Sequence, residues 1–176
     1  GLYMVMPVMT KMYRITGDSR YLDKLHSYLQ YSDSIMFDPD ENLYYRDAKY
    51  TYPKHKSANG KKDFWARGDG WVLAGLAKVL ADVPANWKHR KFFEDKYIRL
   101  ADAVVASQQP EGWWTRSMLD PEHAPGQETS GTAFFTYGLL WGVNHGILKD
   151  PKYLKVAEKG WNYLYKTAQQ PDGSIG

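Results

Sequence analysis

The 176-residue chain contains no cysteine. That absence excludes a disulfide scaffold, a zinc ribbon, an iron–sulfur cluster and a cysteine nucleophile, while leaving the compartment open. Long apolar runs are also missing. None approaches the roughly 18 residues that a membrane span needs, so no membrane partner is expected. An excess of one charge is absent too: 23 Lys and Arg stand against 20 Asp and Glu, a net charge of +3. Basic residues cluster only at Lys61-Lys62 and around Lys88, Arg90 and Lys91, so no nucleic-acid partner is expected. No His, Asp or Glu spacing reads as a metal site, and no glycine-rich phosphate loop occurs. With 43% hydrophobic residues and this small net charge, the chain is not a disordered tail.

Aromatic side chains are what the chain has in excess: 14 Tyr and 7 Trp, with aromatics at 15% in all. A large helical core accounts for such a number. A carbohydrate cleft is the sharper reading, because sugar C–H faces stack on aromatic rings.

Hydrophobic spacing divides the chain into helices of two kinds. Residues 2–15, 70–83 and 130–144 are apolar on nearly all sides. Residues 20–36, 90–107 and 152–168 are amphipathic; Phe93, Tyr97, Leu100 and Val104, for example, fall on one stripe. A helix apolar all round is buried, and one with a single stripe is outer. The order inner, outer, inner, outer, inner, outer gives three helical hairpins. An echo supports a repeat: Gln108-Gln109-Pro110-Glu111-Gly112 returns as Gln169-Gln170-Pro171-Asp172-Gly173. That period of about 60 residues exceeds the roughly 33–47 of common helical solenoids, and suits a ring of hairpins with one long loop per unit.

Inner-to-outer connections are short (16–19, 84–89, 145–151), whereas outer-to-inner connections are long (37–69, 108–129). In an alternating ring the long loops share one face, at the N-termini of the inner helices. Long loops in a compact domain are usually functional, and helix N-termini favour anions. Strand signals are weak, at Leu43-Tyr44-Tyr45-Arg46 and Trp113-Trp114-Thr115-Arg116.

The long loops hold the candidate chemistry. Paired carboxylates serve as general acid and base when their surroundings separate their pKa values. Asp47, Asp63 and Asp69 are the candidates. Each also has a plain reading: Asp47 as a turn residue, Asp63 as a loop charge beside Lys62, Asp69 as a helix cap. Arg46, Lys61, Lys62, Arg67 and Arg116 are cations able to hold a substrate carboxylate. Trp65, Trp113 and Trp114 are sugar platforms or core, and His55 is a polar neighbour or an exposed, inert side chain. Ser130, in Glu128-Thr129-Ser130-Gly131, reads as a cap rather than a nucleophile.

At Phe64-Trp65-Ala66-Arg67-Gly68-Asp69-Gly70-Trp71 the sequence resembles the unsaturated uronyl hydrolases, glycoside hydrolase families 88 and 105, and most of all the unsaturated rhamnogalacturonyl hydrolases of family 105. Leu2-Tyr3-Met4, Leu43-Tyr44-Tyr45-Arg46-Asp47, Asn59-Gly60-Lys61-Lys62, Gln109-Pro110-Glu111-Gly112-Trp113-Trp114 and Glu128-Thr129-Ser130-Gly131-Thr132 match in the same order. The resemblance implies an all-α fold, an (α/α)6 barrel present here as about three hairpins. Residues 1–176 are then a single domain, the C-terminal portion of such a barrel, truncated at both ends. As a fragment it is expected to be inactive, and to associate through unpaired apolar helix faces.

The resemblance further implies removal of a 4,5-unsaturated uronic acid from the non-reducing end of lyase-generated oligosaccharides, without metal or organic cofactor. An Asp protonates C4, water adds at C5, and the resulting hemiketal opens and expels the remaining sugar. One family Asp would stand immediately before Gly1. The other lies in the loop before Trp65, where Asp63 is preferred over Asp47. The family more often shows Asn at the position of Asp69. The alternatives are a non-catalytic carbohydrate-binding toroid, or another α/α-toroid sugar enzyme such as an epimerase or an inverting hydrolase.

Overall fold

A computed structural model describes residues 1–176. Six helices form three hairpins: α1 (Leu2–Thr16) with α2 (Arg20–Met36), α3 (Ala66–Asp82) with α4 (Arg90–Ala106), and α5 (Thr129–Asn144) with α6 (Pro151–Tyr163). A π-helical turn, Leu164–Ala168, extends α6. α3 lies between α1 and α5, while α2, α4 and α6 pack outside their partners. This is an arc of an α/α toroid, the architecture expected from the alternation of helix types.

Local chemistry sets the helix ends. Gly17, at φ 71°, closes α1 with its N–H on the Tyr13 carbonyl. That left-handed conformation is open to glycine at little cost. Asp150 caps α6 by accepting the Lys152 N–H at 2.8 Å, and Pro151 occupies the first turn, where its missing N–H is not needed. On α2 the buried residues Leu22, Leu25 and Leu29 form one stripe, as an outer helix requires.

α3 is buried along most of its length, from Ala66 through Val72, Leu73, Leu76 and Val79 to Leu80. Small residues let its neighbours approach. A Cβ on Gly138 of α5 would lie 2.6 Å from Leu73 Cδ2, and one on Gly70 would lie 2.8 Å from Phe134 Cβ. Asp82, at the last turn of α3, ties α1 by accepting from Thr10 (2.7 Å), Lys11 (2.7 Å) and Arg14 (2.9 Å). Burial alone would raise the Asp82 pKa; these three donors outweigh it and hold the carboxyl below its ordinary value. Outside, Tyr97 of α4 donates its hydroxyl to the Gly138 carbonyl.

Three sequence expectations change. α3 starts at Ala66, four residues earlier than the apolar run indicates, because the Ala66 N–H donates to the Arg116 carbonyl at 3.0 Å; Arg67 and Asp69 therefore lie on the helix. The stretch 113–116 is not a strand. Pairing falls one residue later, at a single antiparallel bridge between Trp65 and Ser117. α1 is less enclosed than its composition suggests: Met6 and Thr10 are buried, but Met4 is 68% and Val8 58% exposed. A core position requires neighbours on both flanks, and α3 alone has inner helices on both.

Gly138→Ala should destabilise the fold by about 1–3 kcal/mol, the usual result of overpacking a tight helix contact. Urea unfolding of the variant against wild type measures it; an unchanged midpoint would contradict the close α3–α5 approach.

Candidate active site

A short hairpin builds one wall of the site. β1 (Phe37–Asp38) pairs antiparallel with β2 (Leu43–Tyr44), Phe37 opposite Tyr44 and Asp38 opposite Leu43. Asp38 organises the turn by accepting from the N–H groups of Asp40 (3.0 Å) and Glu41 (3.1 Å). The same carboxylate accepts the Tyr45 hydroxyl at 2.7 Å and pairs with Lys62 at 2.9 Å. Burial would raise its pKa, but the Tyr45 hydroxyl and the Lys62 ammonium bring it below the ordinary value. Two backbone donors then fasten the wall. Tyr44 N–H reaches Asp69 Oδ1 at 2.8 Å, and Tyr45 N–H reaches the Met36 carbonyl at 2.8 Å.

The wall faces the N-terminal ends of α1 and α3 across a cleft of about 300 Å³. Its lining includes Gly1, Leu2 and Tyr3 of α1, Tyr44 to Asp47, and Trp65, Gly68 and Trp71 around the start of α3. Two guanidinium groups lie over the Trp65 ring: Arg67 is 4.2 Å and Arg46 5.5 Å from its centroid. Neither guanidinium is consumed by a buried carboxylate. Arg46 donates to the Tyr50 hydroxyl at 2.9 Å and stands 3.9 Å from Asp47. Arg67 reaches Ser130 Oγ at 3.5 Å and lies 3.7 Å from Glu128 Oε1. Glu128 is in turn fixed, accepting from the Ser130 hydroxyl (2.5 Å) and the Gly131 N–H (2.6 Å). An aromatic face, two half-exposed cations, one carboxylate and the positive end of a helix dipole meet here. That set suits an anionic sugar ring.

The three candidate aspartates occupy different environments. Asp47 lines the cleft and is partly exposed; one of its oxygens accepts the Lys49 N–H at 2.8 Å. Asp63 is buried, with a side chain 2% exposed. Arg116 donates to both its oxygens at 3.0–3.1 Å, Ser117 donates its hydroxyl at 2.7 Å, and His55 Nε2 lies at 3.0 Å. His123 stands 3.7 Å away, its Nδ1 accepting the Ala58 N–H at 2.9 Å. Both oxygens are thus engaged, the Arg116 and Ser117 contacts join the two long loops, and Asp63 is not among the residues lining the cleft. Asp69 is fully buried on α3, and its Oδ2 has no hydrogen-bond partner. Burial pushes its pKa well above the ordinary value, and the Tyr44 N–H only partly opposes that. The dipole of the first helical turn favours the anion by about 0.3–1 kcal/mol, against several kcal/mol for an unpaired buried carboxylate.

Several expected ligands are placed elsewhere. Trp114 is a core residue, 0% exposed, with its Nε1–H on the Val104 carbonyl at 2.9 Å, and so is no sugar platform. Trp113 is half-buried and does not line the cleft. Arg116 and His55 serve the Asp63 clamp, and the His55 ring also lies 4.5 Å from that of Tyr50. Lys62 is committed to Asp38, Asp40 and Glu41. Lys61 is exposed and 3.9 Å from Asp120, which Ser57 and Asn59 hold at a lowered pKa. Trp65, Arg67, Arg46 and Asp47 come together as a site. Glu128, Ser130, Tyr3 and Trp71 join them without having been singled out as site residues. The first two carry a cap signature that looks purely structural, and the last two sit on helices, where an aromatic reads as core. No three His, Asp or Glu side chains are arranged to hold a metal ion.

Known proteins resemble the chain along its whole length. The family model described as Glycosyl Hydrolase Family 88 matches residues 1–176. An unsaturated 3S-rhamnoglycuronyl hydrolase of Formosa agariphila is 37% identical, over 100% of this chain and 48% of its own length. A solved structure of a family 88 glycosyl hydrolase from Bacteroides vulgatus superposes with a TM-score of 0.98 at 60% identity, covering 99% of this chain and 50% of that one. Another, described as a polysaccharide lyase, gives 0.98 at 67% identity, covering 99% and 49%. The chain thus spans about half the length of the curated relatives it matches.

Removing the loop clamp should be costly. Asp63→Ala leaves the Arg116 charge unpaired, and the loss expected is about 3–5 kcal/mol, as for other broken buried pairs. Thermal unfolding measures it, and a shift in melting temperature no larger than that of an exposed Asp→Ala control would show that Asp63 clamps nothing.

Proposed function

We propose that this chain, which belongs to glycosyl hydrolase family 88, forms one side of a site that removes a 4,5-unsaturated uronic acid from the non-reducing end of an oligosaccharide. The observation that carries the reading is a cleft lined by Trp65, Arg46 and Asp47, with a second guanidinium, that of Arg67, over the Trp65 ring. The guanidinium pair offers charge-assisted donors to the uronate carboxylate, and the indole they flank lines the cleft beside them. The name of the Formosa relative favours a rhamnose-linked uronide as the substrate class.

In this reading a cleft carboxyl group protonates C4 of the enol ether and, as a carboxylate, takes a proton from the water that adds at C5. Water is thereby added across the double bond. The hemiketal at C5 opens to a ketone, and the aglycone sugar departs from C1 with a proton. Within this chain Asp47 is the carboxylate available for that work, because Asp63 is engaged on both oxygens.

The test uses the full-length protein and an unsaturated disaccharide made by a polysaccharide lyase. The ultraviolet absorbance of the C4=C5 bond should fall. An absorbance that rises on an uncleaved polysaccharide would instead identify a lyase, the activity named for the 67% identical structure. Arg67→Ala should lower kcat/KM by roughly 10- to 150-fold, the equivalent of losing about 1.5–3 kcal/mol in hydrogen bonds to a charged group. Asp47→Asn should lower kcat by about 10²-fold or more, as expected for a proton-transfer group. Full activity in both variants would remove the assignment.

A further inference from the structure

Asp69 is the group in this region that the reaction does not use. Its side chain is completely buried; Oδ1 accepts the Tyr44 N–H at 2.8 Å, and Oδ2 has no partner. The neighbouring titratable groups supply no counter-charge. On α3 itself, Arg67 lies over Trp65 and reaches Ser130 and Glu128. On β2 the neighbour is Tyr44, whose hydroxyl donates to Asp33 of α2 at 2.5 Å. Asp33 is paired at 2.9 Å with Lys96 of α4, so that cation is already neutralised. From α1 the cleft receives Tyr3, and α5 carries no Asp, Glu, Lys, Arg or His between Thr129 and Asn144. An unpaired carboxylate in such a place is far more costly than the neutral acid, and the dipole of the first helical turn offsets little of the difference.

The position matters for the cleft. Asp69 is one helical turn beyond Trp65, and Tyr44 immediately precedes Tyr45, Arg46 and Asp47. The Tyr44–Asp69 hydrogen bond thus joins the element carrying Arg46 and Asp47 to the element carrying Trp65 and Arg67. We propose that Asp69 is a positioning residue that remains protonated in the folded protein and, as a neutral clamp, holds the hairpin wall against α3. Its importance for turnover rests on the reaction proposed above; its protonation and its hold on the wall do not.

Two variants test this. Asp69→Asn keeps an uncharged acceptor for Tyr44, and Asp69→Leu removes the acceptor at similar volume. In the wild type the folded carboxyl keeps its proton while the unfolded one, with a pKa near 3.9, loses it as pH rises. Folding of the wild type should therefore weaken relative to Asp69→Asn by about tenfold in equilibrium constant per pH unit above pH ~4, until the buried group itself ionises. Urea titrations from pH 4 to 9 read that gap; a gap independent of pH would overturn the protonation. Amide exchange across residues 43–48 at pH 7 should match wild type in Asp69→Asn and be at least tenfold faster in Asp69→Leu. Equal exchange in all three proteins would overturn the clamp.

With the full-length enzyme, Asp69→Asn should keep kcat/KM within about twofold at pH 7. Asp69→Leu should raise KM about tenfold with a smaller change in kcat. An Asn variant as impaired as the Leu variant would overturn the neutral role. A wild type that turns over no unsaturated uronide would remove the proposed reaction, and the stability and exchange measurements would still decide the role of Asp69.

Discussion

The structure depends on the burial of α3 between α1 and α5. Its apolar residues are covered from both sides, and Gly70 and Gly138 remove the side chains that would hold α5 away. Each large side chain so buried contributes on the order of 1.5–3 kcal/mol relative to exposure, so the α3 face contributes more than any single polar contact in the chain. The site follows from this arrangement. Because α3 starts at Ala66, Trp65 stands at its mouth, and Arg67 projects from its first turn toward the start of α5, where Ser130 and Glu128 receive it.

Three aspartates in one region show how environment divides labour among identical side chains. Asp63 meets a guanidinium, a hydroxyl and two imidazoles, and its charge holds two loops together. Asp69 meets one backbone N–H and leaves its other oxygen without a partner, and burial favours its protonated form. Asp47 meets solvent and a nearby guanidinium, and keeps a free edge toward the cleft. Acid–base work requires a group reachable by substrate, and Asp47 meets that condition.

Around the cleft the polar groups form supporting chains rather than isolated pairs. Arg46 leans on Tyr50, Tyr50 lies against His55, and His55 reaches Asp63. On the other side Arg67 leans on Ser130, in the first turn of α5, and on Glu128, which caps that helix. Each guanidinium thus has a protein partner that limits its freedom. Membership of glycosyl hydrolase family 88 gives that arrangement its chemical context, although the matched relatives are about twice as long as this chain.

The sequence by itself determined the helices, their inner and outer alternation and the face on which the long loops gather. These follow from local periodicity and loop length, which are written within each segment. It also carried the family resemblance, through Trp65-Ala66-Arg67-Gly68 and its companions. Only the tertiary structure decided which side chains face the cleft. Asp63 is spent on Arg116, 53 residues away, and Trp114 is enclosed where α4 and α5 meet it. Tyr3 and Glu128 reach the site from opposite flanks of α3. Residue type and spacing name the groups able to act, but a carboxylate's partners are set by segments far away in the chain, and the partners decide whether it is paired, buried alone or open to the cleft.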